Sequence, residues 1–256
     1  MIAERLFTAF EEAARERRIA TVAVGLGYTA VGTDDGSVGL CYTMVQRSPC
    51  CTQVPVFRDF EGEPASALLE YVRSATTLER SMGVALVNAL NRPRALAMPE
   101  DTGPQTGLMT QLSISPSSRV LMVGYFPPVA AALTAMGAHV NVLDRDRAMG
   151  DQAQFLDELA RSADVLVVTA TALLDDSLEL FLEQVRSGAK TVILGPTTPM
   201  VPSVFADLGV TMLAGMVPVN VERVLAAVRQ AGGTPAFAPH CRKVFWIRDS
   251  AGAERT

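Results

Sequence analysis

No stretch of this 256-residue chain offers the ~18 uninterrupted apolar residues that a membrane span needs. Mean hydropathy is positive, +0.24. Yet the two most apolar stretches, 120–143 and 191–219, are broken by Pro127, Pro128, Pro196, Pro199 and Pro202. The amino end carries Glu4, Glu11 and Glu12 and no signal-type apolar segment. These absences predict a soluble, cytoplasmic protein with no membrane partner. A basic surplus is also missing. Net charge is −5, and Lys190 and Lys243 are the only lysines, so a nucleic-acid partner is not expected. Four cysteines are too few for a disulfide scaffold in a chain this long. With only His139 and His240, and no G-x-S-x-G, no hydrolase triad is legible. The phosphate-binding G-x-x-x-x-G-K-S/T is absent as well.

What is present builds a sizeable core, since 49% of the residues are hydrophobic. Ile2, Leu6 and Phe10 recur every four residues and predict a helix over 2–17. Strands follow at 19–26, 28–33 and 37–44. Asp34-Asp35-Gly36 is the turn between the last two. After an irregular stretch over 46–64, helices are predicted over 65–73 and from Thr76 or Thr77 onward. The second buries Leu78, Met82, Ala85, Leu86 and Ala89 on one face. Asn88 near its end is a poor helix former, so it caps or bonds something. Helix, meander and helices make an α+β layer. Prolines and glycines over 91–118 mark a boundary near residue 112, which divides the chain into domains 1–112 and 113–256. Beyond it, short apolar strands at 120–123, 140–143, 165–169, 192–194 and 210–214 alternate with helices at 154–160, 176–186 and 221–230. That is the pattern of a Rossmann-like parallel sheet covered on both faces.

Residues 191–202, Thr-Val-Ile-Leu-Gly-Pro-Thr-Thr-Pro-Met-Val-Pro, read as a buried strand that runs into a proline-stiffened loop. Ligands of open α/β sheets bind at that carboxyl edge. Gly195 permits close backbone approach, Pro196 stiffens the loop, and Thr197 and Thr198 offer hydroxyls. A rigid connection without a ligand fits the same residues. At the first turn of the second domain, Asp144 follows Gly124 by about 20 residues, as a ribose-binding carboxylate would. But the turn reads Gly124-Tyr125-Phe126-Pro127-Pro128. One glycine, two aromatics and two prolines oppose a pyrophosphate, so NAD and ATP are disfavoured. A methyl-donor nucleoside needs less of that turn. Acid–base work would fall to Asp144, Asp175 or Tyr125.

Several short motifs together resemble one family. They are Tyr28-Thr29, Gly39-Leu40, the run from Gly83 to Ala89, Val123 to Pro127, Gly195 to Pro199, and Gly215 followed by Asn220. The chain is similar over about 5–245 to the bacterial and archaeal family called putative heavy-metal chelation proteins. The resemblance implies an enolase N-terminal-like α+β domain, a Rossmann-like α/β domain, and a ligand site between them. Beside the turn at Gly124 to Phe126 and Asp144, it points to Thr169, Thr171 and Asp175, to the loop from Gly195 to Thr198, and to Asn88, Gly215 and Asn220. This chain departs from the family pattern in three places. Ala170 stands for a glycine, Asp175 for an asparagine, and Asn220 for an aspartate.

A soft divalent metal needs thiolate or imidazole ligands. Cys50-Cys51 and His240-Cys241 would supply them if the two loops met. The alternative is that these cysteines are small apolar fillers and His240 is a surface residue. Two functions follow. The first is a protein that binds a small molecule, a metal or a metal chelate between its domains, with a role in metal homeostasis. The second is an enzyme acting on a small polar substrate in metallophore or metal-cofactor synthesis, with an S-adenosylmethionine-linked version among the options. A homodimer contact made by the 195–202 loop is a third use of the same residues.

Overall fold

The structure, a computed structural model, describes residues 1–45, 56–102 and 110–248. Helix α1 (Ile2–Arg15) buries Ile2, Leu6, Phe10 and Ala14 along one stripe. Glu4 in its first turn and Arg15 in its last complement the helix dipole. Strands β1 (Ile19–Val24), β2 (Tyr28–Thr33) and β3 (Val38–Tyr42) form an antiparallel meander in that order. The β2–β3 turn is closed by Asp35, whose carboxylate accepts from the Thr33 hydroxyl at 2.7 Å and the Ser37 N–H at 3.0 Å. Gly36 there takes φ +79°, which glycine adopts without a steric cost.

Helices α2 (Ala65–Leu69), continued by a 3-10 turn over Glu70–Arg73, α3 (Thr77–Leu90) and α4 (Arg92–Leu96) complete the first layer. Helix α3 is buried on nearly every side, from Thr77 and Leu78 through Arg80 to Val87. It presses so closely on β3 that a Cβ on Gly39 would lie 2.2 Å from Ala85 O and from Ala89 N. Gly83 makes the matching approach on its other side, where a Cβ would lie 2.3 Å from Val72 N.

The second layer runs β4 (Arg119–Val123), α5 (Pro127–Ala135), β5 (His139–Leu143), α6 (Gln152–Arg161) and β6 (Val165–Thr169). It continues through α7 (Ser177–Gln184), β7 (Lys190–Leu194), α8 (Pro202–Phe205) and β8 (Val210–Pro218). It ends with α9 (Val221–Arg229), α10 (Thr234–Phe237) and β9 (Cys241–Ile247). The six strands are ordered β5-β4-β6-β7-β8-β9. All neighbours pair parallel except β8 and β9.

Several elements lie outside the sequence-based expectation, among them the short helices α4, α8 and α10 and two longer elements. Helix α5 begins at the proline pair, because Pro127 and Pro128 occupy its first turn, where a missing N–H costs nothing. Strand β9 reads Cys-Arg-Lys-Val-Phe-Trp-Ile. Its charged start hides it, and charge is usual on an edge strand.

One hydrophobic core crosses both layers, joining Phe10, Leu69 and Leu86 to Leu121, Phe155 and Ile193. Polar ties reinforce it. The Arg80 guanidinium, 10% exposed, pairs with Asp176 at 2.6 Å. The Ile2 N–H bonds Glu179, and the Tyr28 hydroxyl meets that of Thr234 at 2.9 Å.

Gly39→Ala forces α3 off the meander and is expected to cost about 1–3 kcal/mol. Gly27→Ala, where an added Cβ meets nothing within 4 Å, stays close to neutral. Urea unfolding of the two variants beside the parent checks the contrast. Equal midpoints would sink it.

Candidate functional site

The chain leaves β4 for β5 on one side of the sheet, then crosses to β6 on the other. The carboxyl ends of β4 and β6 therefore feed connections that diverge, and a crevice opens between them. It measures about 790 Å³. Its floor is built from three turns, contributing Gly124, Tyr125 and Phe126 after β4, Asp144 after β5, and Thr169 and Thr171 around the end of β6. Asp175, Ser177 and Leu180 line one side. The opposite wall comes from the first layer: Leu26 at the β1–β2 turn and Tyr42, Thr43, Met44 and Val45 running out of β3.

The floor is tightly determined. Gly124 has φ +78° and donates its N–H to Leu143 O at 2.8 Å. A Cβ there would lie 2.9 Å from the Thr169 Cγ2. The next N–H, of Tyr125, donates to Asp144 Oδ2 at 2.8 Å. Asp144 also accepts from the Arg147 N–H at 3.0 Å and from Arg147 Nη1 at 2.8 Å. Burial pushes the Asp144 pKa up, but the N–H donors of Tyr125 and Arg147 and the Arg147 charge outweigh it. The carboxyl is held below its ordinary range. The group positioned to meet a ribose is thus occupied in fixing the β4 turn. Pro127 and Pro128 add no N–H, so this turn lacks the row of free amides that a pyrophosphate requires.

Around this floor, Arg147 lies 5.9 Å from the centroid of the Tyr125 ring. The hydroxyls of Thr169 and Thr171 are 3.0 Å apart. Asp175 accepts from the Ser177 N–H at 3.2 Å and hydroxyl at 2.5 Å, and pairs with Arg145.

The remaining predicted positions lie elsewhere. The loop from Gly195 to Thr198 does not line the crevice. It is a seam between the layers, with Thr197 and Thr198 only 1% and 3% exposed. The Thr197 hydroxyl accepts from the Tyr42 N–H at 2.9 Å. Asn88 donates its amide both to Thr197 O at 3.1 Å and to Leu40 O at 2.8 Å. The Thr198 hydroxyl lies 2.8 Å from Gly195 O and 2.9 Å from Ala214 O. Pro196 stiffens this seam, and Gly215 sits behind it, where a Cβ would meet Met200 Sδ at 2.8 Å. Asn220 caps α9 by accepting from the Arg223 N–H at 3.2 Å. The seam groups are satisfied across the layers or within the second one, and Asn220 by its own helix.

Of the soft-ligand set, only His240 and Cys241 fall among the described residues. Cys50 and Cys51 lie outside the described residues. Cys241 packs with Val224 and Phe237, and burial pushes its thiol up to about 12. Burial drives the Cys41 thiol upward as well, so neither is poised as a thiolate. Among the described residues no group of three or more His, Cys, Asp or Glu side chains is placed to hold a metal ion. No helix among them is long and apolar enough to cross a membrane.

Sequence reasoning missed Arg145, Arg147, Ser177, Leu180 and the β3 exit as crevice residues. The Asp-Arg-Asp-Arg run from Asp144 was a legible signal, because charges set at the carboxyl end of a buried strand face a ligand edge.

Two family models match the chain, both described as putative heavy-metal chelation, one over residues 7–91 and one over 107–247. An uncharacterized protein of Methanocaldococcus jannaschii is 22% identical over 186 residues, 69% of this chain and 70% of the relative. Two crystal structures of proteins of unknown function share the fold, and both come from the family that matches 107–247. The one from Pyrococcus horikoshii is 23% identical, with a TM-score of 0.79 over 97% of this chain and 100% of its own. The one from Desulfitobacterium hafniense is 20% identical, with a TM-score of 0.75 over 96% and 98%.

Asp144→Asn removes a charge-assisted acceptor from the Tyr125 N–H and is expected to cost about 1–3 kcal/mol at neutral pH. Because the folded-state pKa is lowered, the contribution is full above the ordinary carboxylate range. It fades as pH falls through the folded value. The gap between parent and variant should therefore close in acid. A gap that stays constant from neutral to strongly acidic pH in denaturant titrations would refute this role.

Proposed function

The chain belongs to the putative heavy-metal chelation family, and from that premise we propose that it binds a small organic ligand or metal chelate in the crevice between its layers, in the service of metal homeostasis. The observation that carries the reading is the crevice itself. Its volume of about 790 Å³ lies in the range of sites for whole organic molecules, ~300–1,000 Å³. It sits where β4 and β6 diverge, and residues of both layers wall it. A bare ion needs several convergent donors at about 2–2.6 Å. The lining instead offers hydroxyls, aromatic faces, arginines and carboxylates, of which Asp144 and Asp175 already hold partners. A metal held as a chelate arrives with its own inner ligands and asks the protein only for shape and outer contacts. We take residues 1–112, an enolase N-terminal-like layer, and 113–256, a Rossmann-like layer, as the two domains that make this site. The enzymatic alternative has less support, since Asp144 and Asp175 are both committed to hydrogen bonds within the fold.

Thermal-shift measurements on untagged protein test the proposal. Metal complexes of organic chelators should raise the melting temperature, by the equivalent of about 2.7 kcal/mol at a hundredfold excess over Kd. The same metals as simple salts should not. Thr171→Trp, which sets an indole in the crevice, should remove the shift. Stoichiometric uptake of a simple metal salt that survives Thr171→Trp would overturn the reading.

A further inference from the structure

We infer that Arg145 is the anion-recognising residue of the crevice, and that the ligand carries a carboxylate. This rests on the proposed binding role and names the chemical class it implies. The geometry begins with strand order. Arg145 stands after β5 and Asp175 after β6, and β4 lies between those strands. Their ion pair therefore strides over the carboxyl end of β4, a gap of two strand spacings, ~9.5 Å. A molecule resting on the Gly124–Phe126 turn lies directly against this bridge.

The two arginines of the crevice are not equivalent. Arg147 is tied down by Asp144, which is 7% exposed and would be left as a buried charge without it. Asp175 does not depend on Arg145 in this way. It accepts from the N–H and hydroxyl of Ser177, the first residue of α7. The Arg145 side chain is 71% exposed. An ion pair with one partner open to solvent contributes little to stability, and Asp175, 21% exposed, keeps its bonds to Ser177 when a ligand anion takes its place on Arg145. A guanidinium grips a carboxylate with two parallel hydrogen bonds. Phosphate is a poorer fit, because the Tyr125 N–H is spent on Asp144 and the two prolines provide none. Leu26, Met44, Val45 and Leu180 line the remainder of the hollow and suit a carbon skeleton. In this account Asp175 acts as a built-in competitor. It keeps the guanidinium oriented until an external carboxylate takes its place.

Calorimetric titration with citrate, with and without bound metal, tests the assignment. Inorganic phosphate serves as the contrasting probe. Asp175→Asn removes the competitor's charge while the amide oxygen can still accept from Ser177, and citrate affinity should rise about 2- to 5-fold. Arg145→Gln should weaken citrate about 10-fold or more and flatten its salt dependence. Circular dichroism should show both variants folded like the parent. Three results would overturn the assignment: citrate affinity unchanged in both variants, no citrate binding to parent or Asp175→Asn, or phosphate binding as tight as citrate. If any of these occurs while Thr171→Trp still abolishes stabilisation by a metal chelate, the binding role stands and only the role given to Arg145 falls.

Discussion

The hydrogen bonds around Thr197 hold the two layers in one relation. This residue is almost wholly buried, and the first layer satisfies both its hydroxyl and its carbonyl. The Tyr42 N–H supplies the first partner and the Asn88 amide the second. Buried polar groups left without partners are expensive, so separating the layers strands several at once. The neighbouring prolines limit how far the loop can adapt. The shared core from Phe10 to Ile193 adds a non-directional attraction. The seam supplies the direction.

Fixing that relation is what leaves the crevice open. Strand β3 exits along the seam, and its continuation from Tyr42 to Val45 becomes the wall facing the β4 turn. One short segment thus does two jobs: its N–H at Tyr42 is bonded across the layers, and the residues after it are presented to the hollow. On the floor, Asp144 works in a similar way. It collects the Tyr125 and Arg147 donors and so fixes which face of the turn is open to the crevice. The Tyr125 amide is thereby used within the fold.

Much of this was visible in the sequence because it depends on local pattern. The period-four stripe of α1, the Asp34-Asp35-Gly36 turn and the short apolar strands of the second layer are decided by nearest neighbours along the chain. Asn88 stood out as a poor helix former, and the structure shows its amide bonded to two carbonyls. What stayed hidden depends on contacts between distant segments. Nothing local tells whether a stiff threonine-bearing loop faces a ligand or another layer, and the 195–198 loop faces the other layer. Helix α5 was obscured because a proline pair reads as a breaker in mid-chain and as a start signal only at the first turn. Arg145 and Arg147 were passed over because exposed arginines are common, and their importance comes from the strand order that sets them over β4.

The close approach of α3 to the meander has one more consequence. With a glycine on each side of it and backbone as its nearest neighbour there, this helix has no compressible padding through which it could slide or rock. The first layer therefore meets the crevice as one stiff plate, with Leu26 and the run from Tyr42 to Val45 on its inner edge. Any change in the opening would fall to the packing between the layers rather than within this one.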